Sequence, residues 1–316
     1  VSPRIAAIVP CHNEAASVAT VVKDLCAAVP DITVYVYDNN STDDTGEVAA
    51  NAGAVVRSEL TKGKGNVVRR AFGDIEADVY VLIDGDDTYD ASTCGTLIAT
   101  LLEGPYDQVT GVRQQTTETA YRSGHAVGNR IFNTLVSRIF GTKVNDMLSG
   151  YRVFSRRFVK SFPAVSREFE IETELTVHSV NLRVPQTEAR VGFKDRTDGS
   201  ESKLRTYHDG LRILRLIMEL TRHERPLLYH GSLALVSFAI GLGLGLPVVA
   251  EFFETGLVPR FPTALLASSL VILAFLVLMT GFILEALRRN RRETARLFYL
   301  TLPAPGRRCR GNNDDD

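Results

Sequence analysis

The sequence predicts an α/β fold, a mostly parallel, doubly wound sheet followed by a pair of membrane-length helices. Three observations predict it. Short apolar runs alternate with segments of helical period through the first part of the chain. Polar loops rich in Asp, Asn and Gly follow the ends of those runs. Two stretches near the C-terminus, residues 231–250 and 263–284, contain no charged residue and are each long enough to cross about 30 Å of hydrocarbon.

The elements follow in order. Residues 5–9 make a first strand, which Pro10 stops ahead of Cys11, His12, Asn13 and Glu14. Val18, Val21, Val22 and Leu25 recur on one helical face, so residues 15–28 form a helix. A second strand, residues 32–37, runs into the polar segment that begins Asp38-Asn39-Asn40. Ser41 or Thr42 in that segment is placed to cap a helix running towards Asn51. A third strand, residues 54–57, leads to Lys62, Gly63, Lys64, Gly65 and Asn66 and then a helix. Its glycines permit close backbone approach and its lysines suit a diphosphate, although the spacing is neither that of a P-loop nor that of a dinucleotide fingerprint.

Residues 79–83 are apolar and mostly β-branched or aromatic, the pattern of a strand buried on both faces. That strand ends in Asp84, Gly85 and Asp86, with Gly85 expected to let the backbone turn so that both carboxylates converge. A further strand covers residues 108–112. Arg113 then opens a polar segment, and the aperiodic residues 114–123 suit a loop over the site. Residues 126–140 are helical and carry Asn129, Arg130 and Asn133. Asp146, Ser149, Gly150, Tyr151 and Arg152 precede another short strand. Glu168, Glu170, Glu172 and Glu174 surround a helix start, most of them expected on a solvated face and one or two reaching the site. Residues 182–193 are expected as a strand, ending in a polar segment that holds Arg196, Ser202 and Lys203.

From Leu204 the texture changes. Leu211, Leu214, Ile217, Met218 and Leu220 form an apolar stripe flanked by Arg205, Arg212, Arg215 and Arg222, which suits a helix lying on a membrane surface over residues 204–226. The two spans then occupy residues 227–290. Arg222 and Arg225 precede them and Arg288, Arg289, Arg291 and Arg292 follow, against a single Arg260 between them. The positive-inside rule puts both ends of the hairpin in the cytosol, and with them a catalytic domain of residues 1–203 and a tail of residues 291–316. Gly241 and Gly245 in the first span leave a homo-oligomer contact open.

Composition bounds the partners. With 316 residues and 45% hydrophobic content the chain has ample material for two domains, and a net charge of −1 gives no sign of nucleic-acid binding. Cys11, Cys26, Cys94 and Cys309 show neither metal-ligand spacing nor a disulfide framework, which favours a reducing compartment. The first residues read as a strand and lack the basic region and long apolar core of a signal peptide.

The chemistry lies at the strand ends. In an open α/β sheet the loops after the strands share one side, which makes neighbours of Glu14, Asp38, Asp84 and Asp86. Hard carboxylate oxygens on a short loop suit Mg²⁺ or Mn²⁺, which take remaining ligands from water and substrate phosphates. A nucleoside diphosphate compound follows as the substrate class. An isolated Asp-Gly-Asp also occurs as a solvated turn, so the other motifs decide.

Those motifs are Val9-Pro10-Cys11-His12-Asn13-Glu14, Asp38-Asn39-Asn40-Ser41, Gly63-Lys64-Gly65-Asn66, Asp84-Gly85-Asp86, Asp146 with Ser149-Gly150-Tyr151-Arg152, and Ser200-Glu201-Ser202-Lys203-Leu204. In this order they resemble the inverting family 2 glycosyltransferases of GT-A fold, and among them the polyprenyl-phosphate sugar synthases, such as the dolichyl-phosphate mannose synthases. The resemblance runs from about Arg4 to Leu204 and the C-terminal hairpin is similar to that of membrane-anchored members. It implies transfer of a hexose from GDP-mannose or UDP-glucose to a polyprenyl phosphate. Pro10, His12, Glu14, Asp38 and Asn39 would meet the base and ribose. Asp84 and Asp86 would hold the metal beside Gly85, and Lys64, Arg113 and Arg196 would lie at the diphosphate. Arg130, Ser202 and Lys203 would take the acceptor phosphate. Family members often carry an aromatic residue in place of His12, a second acid in place of Asn39 and Gln near Thr88.

Two other functions share features of this pattern. A processive polysaccharide synthase also combines such a sheet with membrane helices, but its Gln-x-x-Arg-Trp motif is missing from a chain with no tryptophan. A catalytically silent nucleotide-sugar sensor would keep the binding residues, and sugar transfer separates it from an enzyme.

Overall fold

The computed structural model describes residues 2–115, 146–164, 171–194, 222 and 225–305. The chain divides into two compact units. One is Val1–Lys203 together with the chain from Thr294, and the other is Leu204–Glu293.

The first unit is built on a seven-stranded sheet of order β3-β2-β1-β4-β6-β5-β7. Its strands are β1 Ile5–Cys11, β2 Ile32–Asp38, β3 Val55–Ser58, β4 Val79–Leu82, β5 Gln108–Gln115, β6 Arg152–Ser155 and β7 Gln186–Phe193. β6 pairs antiparallel with both β4 and β5, and every other pairing is parallel. The mostly parallel sheet is the expected one. Its described helices are α1 Val18–Ala28, α2 Thr45–Asn51, α3 Lys64–Asp74, α4 Cys94–Glu103, α5 Arg156–Ser161 and α6 Ile171–Leu182.

The central strands β1 and β4 are buried on both faces, which is why they read as unbroken apolar runs. On β4, Val79 and Val81 join the core beneath α1 and α4, while Tyr80 and Leu82 point into a second core with Val67, Val68, Phe158 and Leu175. On β1, Ala7, Val9 and Cys11 take the first side and Ala6 and Ile8 the second. Alternation of this kind fixes register, because a slip of one residue would exchange the two cores.

Several boundaries differ from the sequence expectation. β5 continues to Gln115, so Arg113 lies on a strand, because β7 pairs with it along its whole length. Residues 182–193 are not one strand. Leu182 ends α6, Arg183 turns at φ 52°, and β7 begins only at Gln186. Leu182 and Val184 are apolar because they cap the second core. α2 starts at Thr45 with Asp44 at its N-cap, so neither Ser41 nor Thr42 caps it. Ser41 and Thr42 instead tie the β1 and β2 loops together.

The second unit contains two helices long and apolar enough to cross a membrane, within α7 Pro226–Thr255 and α8 Phe261–Thr301. Both extend beyond the expected spans. Gly241 packs against α8 of the same chain, where a Cβ would stand 3.0 Å from Val271 and 3.1 Å from the Ala267 carbonyl. The small-residue face is thus used inside the hairpin. Ser237 adds a hydrogen bond to the Leu270 carbonyl at 3.1 Å. α8 remains helical to Thr301, so the first part of the expected tail is helix. In the first unit, Tyr299 donates to the buried Asp107 at 2.6 Å, and Arg296 donates to the Leu182 carbonyl at 2.7 Å. The surface helix expected over residues 204–226 lies almost wholly outside the described residues.

Candidate active site

The sheet reverses direction of winding at β1, whose neighbours are β2 on one side and β4 on the other. A crevice opens at the C-terminal ends of strands at such a point. Three predicted segments meet there, the loops after β1, β2 and β4.

Main-chain and side-chain bonds stitch the first two loops together. The Asn39 N–H donates to the Cys11 carbonyl at 2.9 Å, and His12 Nδ1 lies 2.9 Å from the Asn39 carbonyl. Asn13 N–H donates to Ser41 Oγ, and Glu14 N–H to Thr45 Oγ1 at 2.9 Å. Asn13 turns at φ 58° and Asn40 at φ 60°, a conformation that asparagine tolerates better than most residues. Asp38 accepts the Ser41 N–H at 3.0 Å, which anchors its carboxylate at the strand end.

Asn39, in the position where a second acid is common in the resembling family, has its side chain spent within the protein. Its amide donates to the Glu59 and Thr61 carbonyls at 2.8 and 2.9 Å, and its oxygen accepts the Gly63 N–H at 2.7 Å. A carboxylate could not donate to those two carbonyls. Asn39 therefore braces the loop that delivers Lys64 to the site.

Asp84 and Asp86 follow β4. Gly85 does not need a positive φ. What it needs is space, since a Cβ there would stand 2.5 Å from Cys11 Sγ and 3.4 Å from Val9. The unusual backbone is at Asp87, with φ 55°. Ser17 Oγ donates to the Gly85 carbonyl at 2.7 Å and ties α1 to the turn. Asp86 is buried and accepts both the N–H and the hydroxyl of Thr88, at 3.2 and 2.7 Å. Burial pushes the Cys11 thiol up, and the charges of Glu14, Asp38, Asp84 and Asp86 push it further. One buried thiol thus feels all four acids that the sequence singles out.

Lys64 brings a cation to that group. Its ammonium bonds both Asp84 and, at 2.5 Å, Glu172 of α6. Burial alone would lower the Lys64 pKa, but the two carboxylates outweigh it and hold the ammonium charged. Glu172 is buried, and burial raises its pKa, opposed by Lys64. Nothing in its sequence neighbourhood separates Glu172 from Glu168, Glu170 and Glu174, with one or two of the four expected at the site. It is one of four acids at a helix start, and α6 has no clear apolar face because it is buried on most sides.

A second cluster lies on β5. Arg113 grips Asp146 through two bonds of 2.7 Å and stands 5.5 Å from the ring centre of Phe193. Beside it, Arg152 is completely buried. Its guanidinium donates to the carbonyls of Ser149 at 2.9 Å and Met147 at 2.7 Å, and to Thr176 Oγ1 at 2.8 Å. Arg152 thereby shapes the loop that carries Asp146 and Gly150. Tyr89 completes that loop, accepting the Gly150 N–H at 2.9 Å. Arg130, Arg196, Ser202 and Lys203 lie outside the described residues.

The donor set suits a hard divalent ion. Among the described residues no group of three or more His, Cys, Asp or Glu forms a metal cage. Magnesium commonly binds through one or two carboxylates and completes its shell with water and substrate phosphate. The Lys64 ammonium already stands in as a cation on Asp84.

Comparison with known proteins bears on family and fold. The chain is 36% identical over 247 residues to glycosyltransferase AglJ of Haloferax volcanii, covering 78% of this chain and 81% of that protein. It is 24% identical over 211 residues to an undecaprenyl-phosphate 4-deoxy-4-formamido-L-arabinose transferase of Shewanella sediminis, covering 60% and 62%. Among solved structures, glucosyl-3-phosphoglycerate synthase of Mycobacterium tuberculosis, crystallised with Mn²⁺, UDP-glucose and phosphoglyceric acid, shares the fold. Its TM-score is 0.56 at 22% identity, over 70% of this chain and 79% of that one. The family model for glycosyl transferase family 2 matches residues 6–162. On this evidence the chain belongs to glycosyl transferase family 2, as a member resembling the polyprenyl-phosphate glycosyltransferases.

Proposed function

We propose that the chain transfers a hexose from a nucleotide sugar, GDP-mannose or UDP-glucose, to a dolichyl or undecaprenyl phosphate, inverting the anomeric carbon. The observation that carries this reading is the convergence of Glu14, Asp38, Asp84 and Asp86 at parallel strand ends, in a chain that also has two membrane-length helices. A relative named for undecaprenyl phosphate supports the lipid acceptor.

In this reading Pro10, His12, Glu14 and Asp38 receive the base and ribose, and Asn39 shapes that wall by bracing the Gly63 loop. Asp84 and Asp86 would hold Mg²⁺ or Mn²⁺, which when bound neutralises charge growing on the departing diphosphate. Lys64, Arg113 and Arg196 would share that neutralisation as cations. Asp146 keeps the Arg113 fork oriented. Arg130, Ser202 and Lys203 hold the acceptor phosphate, an assignment that rests on the resemblance. A phosphate with a second pKa of about 6 is largely ionised near neutral pH and attacks without a strong general base.

The arginines around the two helices support a catalytic unit on the cytosolic face, where the acceptor phosphate would meet water while its tail stays in lipid. The test is a donor screen with purified full chain in nanodiscs containing undecaprenyl or dolichyl phosphate, with Mg²⁺, Mn²⁺ or EDTA. Sugar label entering the lipid phase from one donor, and lost with EDTA, is the expected result. Nucleotide release with a water-soluble acceptor and no labelled lipid would overturn the lipid reading.

A further inference from the structure

We infer that Lys64, held by Glu172, occupies the cation seat on Asp84 until a nucleoside diphosphate draws it away, so that divalent ion and nucleotide bind as a coupled pair. This rests on the reading that Asp84 and Asp86 hold the ion and that Lys64 meets the diphosphate.

The argument is geometric. One Asp84 oxygen, Oδ1, bonds the Lys64 ammonium. The other, Oδ2, is backed by Gly150, so closely that a Cβ there would collide with it. An ion that binds the Asp84 carboxylate therefore has the ammonium as its neighbour on the same group. Two cations on one carboxylate repel each other, and more strongly here than in water, because the side chains of Lys64 and Glu172 are only 8% and 6% exposed.

A diphosphate relieves the conflict. Its oxygens offer the ammonium a new partner and at the same time complete the shell of the ion. The lysine stem is flexible enough to shift between the two. Glu172 keeps the ammonium within reach throughout and acts only through Lys64, which makes it a positioning residue. By linkage the coupling is reciprocal, so the ion tightens nucleotide binding by the same factor that nucleotide tightens the ion.

The experiment measures Mn²⁺ affinity of the full chain in detergent, by calorimetry or by electron paramagnetic resonance of free Mn²⁺, with and without UDP or GDP. For the wild type we expect the better nucleotide to tighten Mn²⁺ by about tenfold or more, within the usual range of coupling. In Lys64→Gln, Mn²⁺ alone should bind about tenfold tighter than to wild type, and the nucleotide effect should shrink by that factor, leaving the part owed to phosphate oxygens on the ion. Lys64→Gln leaves Glu172 buried without its counter-charge, so the double variant Lys64→Gln/Glu172→Gln, neutral at both positions, is measured beside it. The same gain in the double variant supports the inference. Mn²⁺ affinity no tighter than wild type in the folded variants overturns it while leaving the metal reading intact. A wild type that binds no Mn²⁺ even with nucleotide, or one whose binding is unchanged by Asp86→Asn, overturns the metal reading and the inference with it.

Discussion

Gly150 lies so close to Asp84 that a single methyl group at Gly150 would overlap the carboxylate. Asp84 lies two residues past the end of β4, and its side chain, 29% exposed, is the part that yields. Gly150→Ala should therefore displace Asp84 while leaving the sheet intact. The expected result is a fall in transfer rate of about a hundredfold, the usual consequence of a misplacement near 1 Å, with cooperative thermal unfolding retained. Rate and unfolding measured on the same preparation check it.

Arg113 and Asp146 meet through two parallel bonds, a geometry that lysine cannot reproduce. Arg113→Lys keeps the charge and loses the fork. Activity should drop about thirtyfold, corresponding to about 2 kcal/mol for one charge-assisted contact. Asp146→Asn should give a similar loss, and the double variant should cost less than the sum, since both remove one interaction. Steady-state kinetics on the three variants provide the cycle.

Arg152 is buried with carbonyl and hydroxyl partners on two elements. Replacing it by Met strands three acceptors, each costing about 1–3 kcal/mol when left unpaired, so the folded state should lose about 3 kcal/mol or more. Denaturant unfolding in detergent measures this. Arg152→Lys should recover part of the loss but not the bridge from the Met147–Ser149 loop to Thr176.

His178 predicts a pH dependence of stability. Burial pulls its pKa from 6.5 down to about 4, and it packs edge-on against Phe158 and Phe162. The folded state resists protonation, while the unfolded chain takes the proton at higher pH. Its contribution is complete above pH 6.5 and is lost as pH falls towards about 4. That loss amounts to about 3 kcal/mol. The thermal midpoint should fall across this window, and His178→Phe should flatten that part of the curve.

The central sheet was legible because burial on two faces leaves an unmistakable mark, as at Tyr80 and Val81, which enter different cores. The acids after β1, β2 and β4 were legible for a related reason, since parallel strands put their following loops on one side. Glu172 was legible only as one of four acids, and Arg152 only as part of a motif with no role attached. A buried charge looks like a surface charge in sequence, and only the fold brings Lys64 to one of them and the Met147 and Ser149 carbonyls to the other. Strand limits were misread where pairing overrides composition, as at the polar end of β5, or where one residue with positive φ breaks an apolar run, as at Arg183. At Gly85 the sequence suggests a turn, whereas the structure needs a glycine for close packing on Cys11.

The most direct test of the proposed function compares two acceptors of identical chain length, a polyprenyl phosphate and the corresponding polyprenyl alcohol, with the donor that labels lipid best. The account predicts sugar transfer to the phosphate and none to the alcohol, because the nucleophile is an already ionised phosphate oxygen held by cations. Equal transfer to both lipids would contradict it, as would turnover that persists in Asp86→Asn.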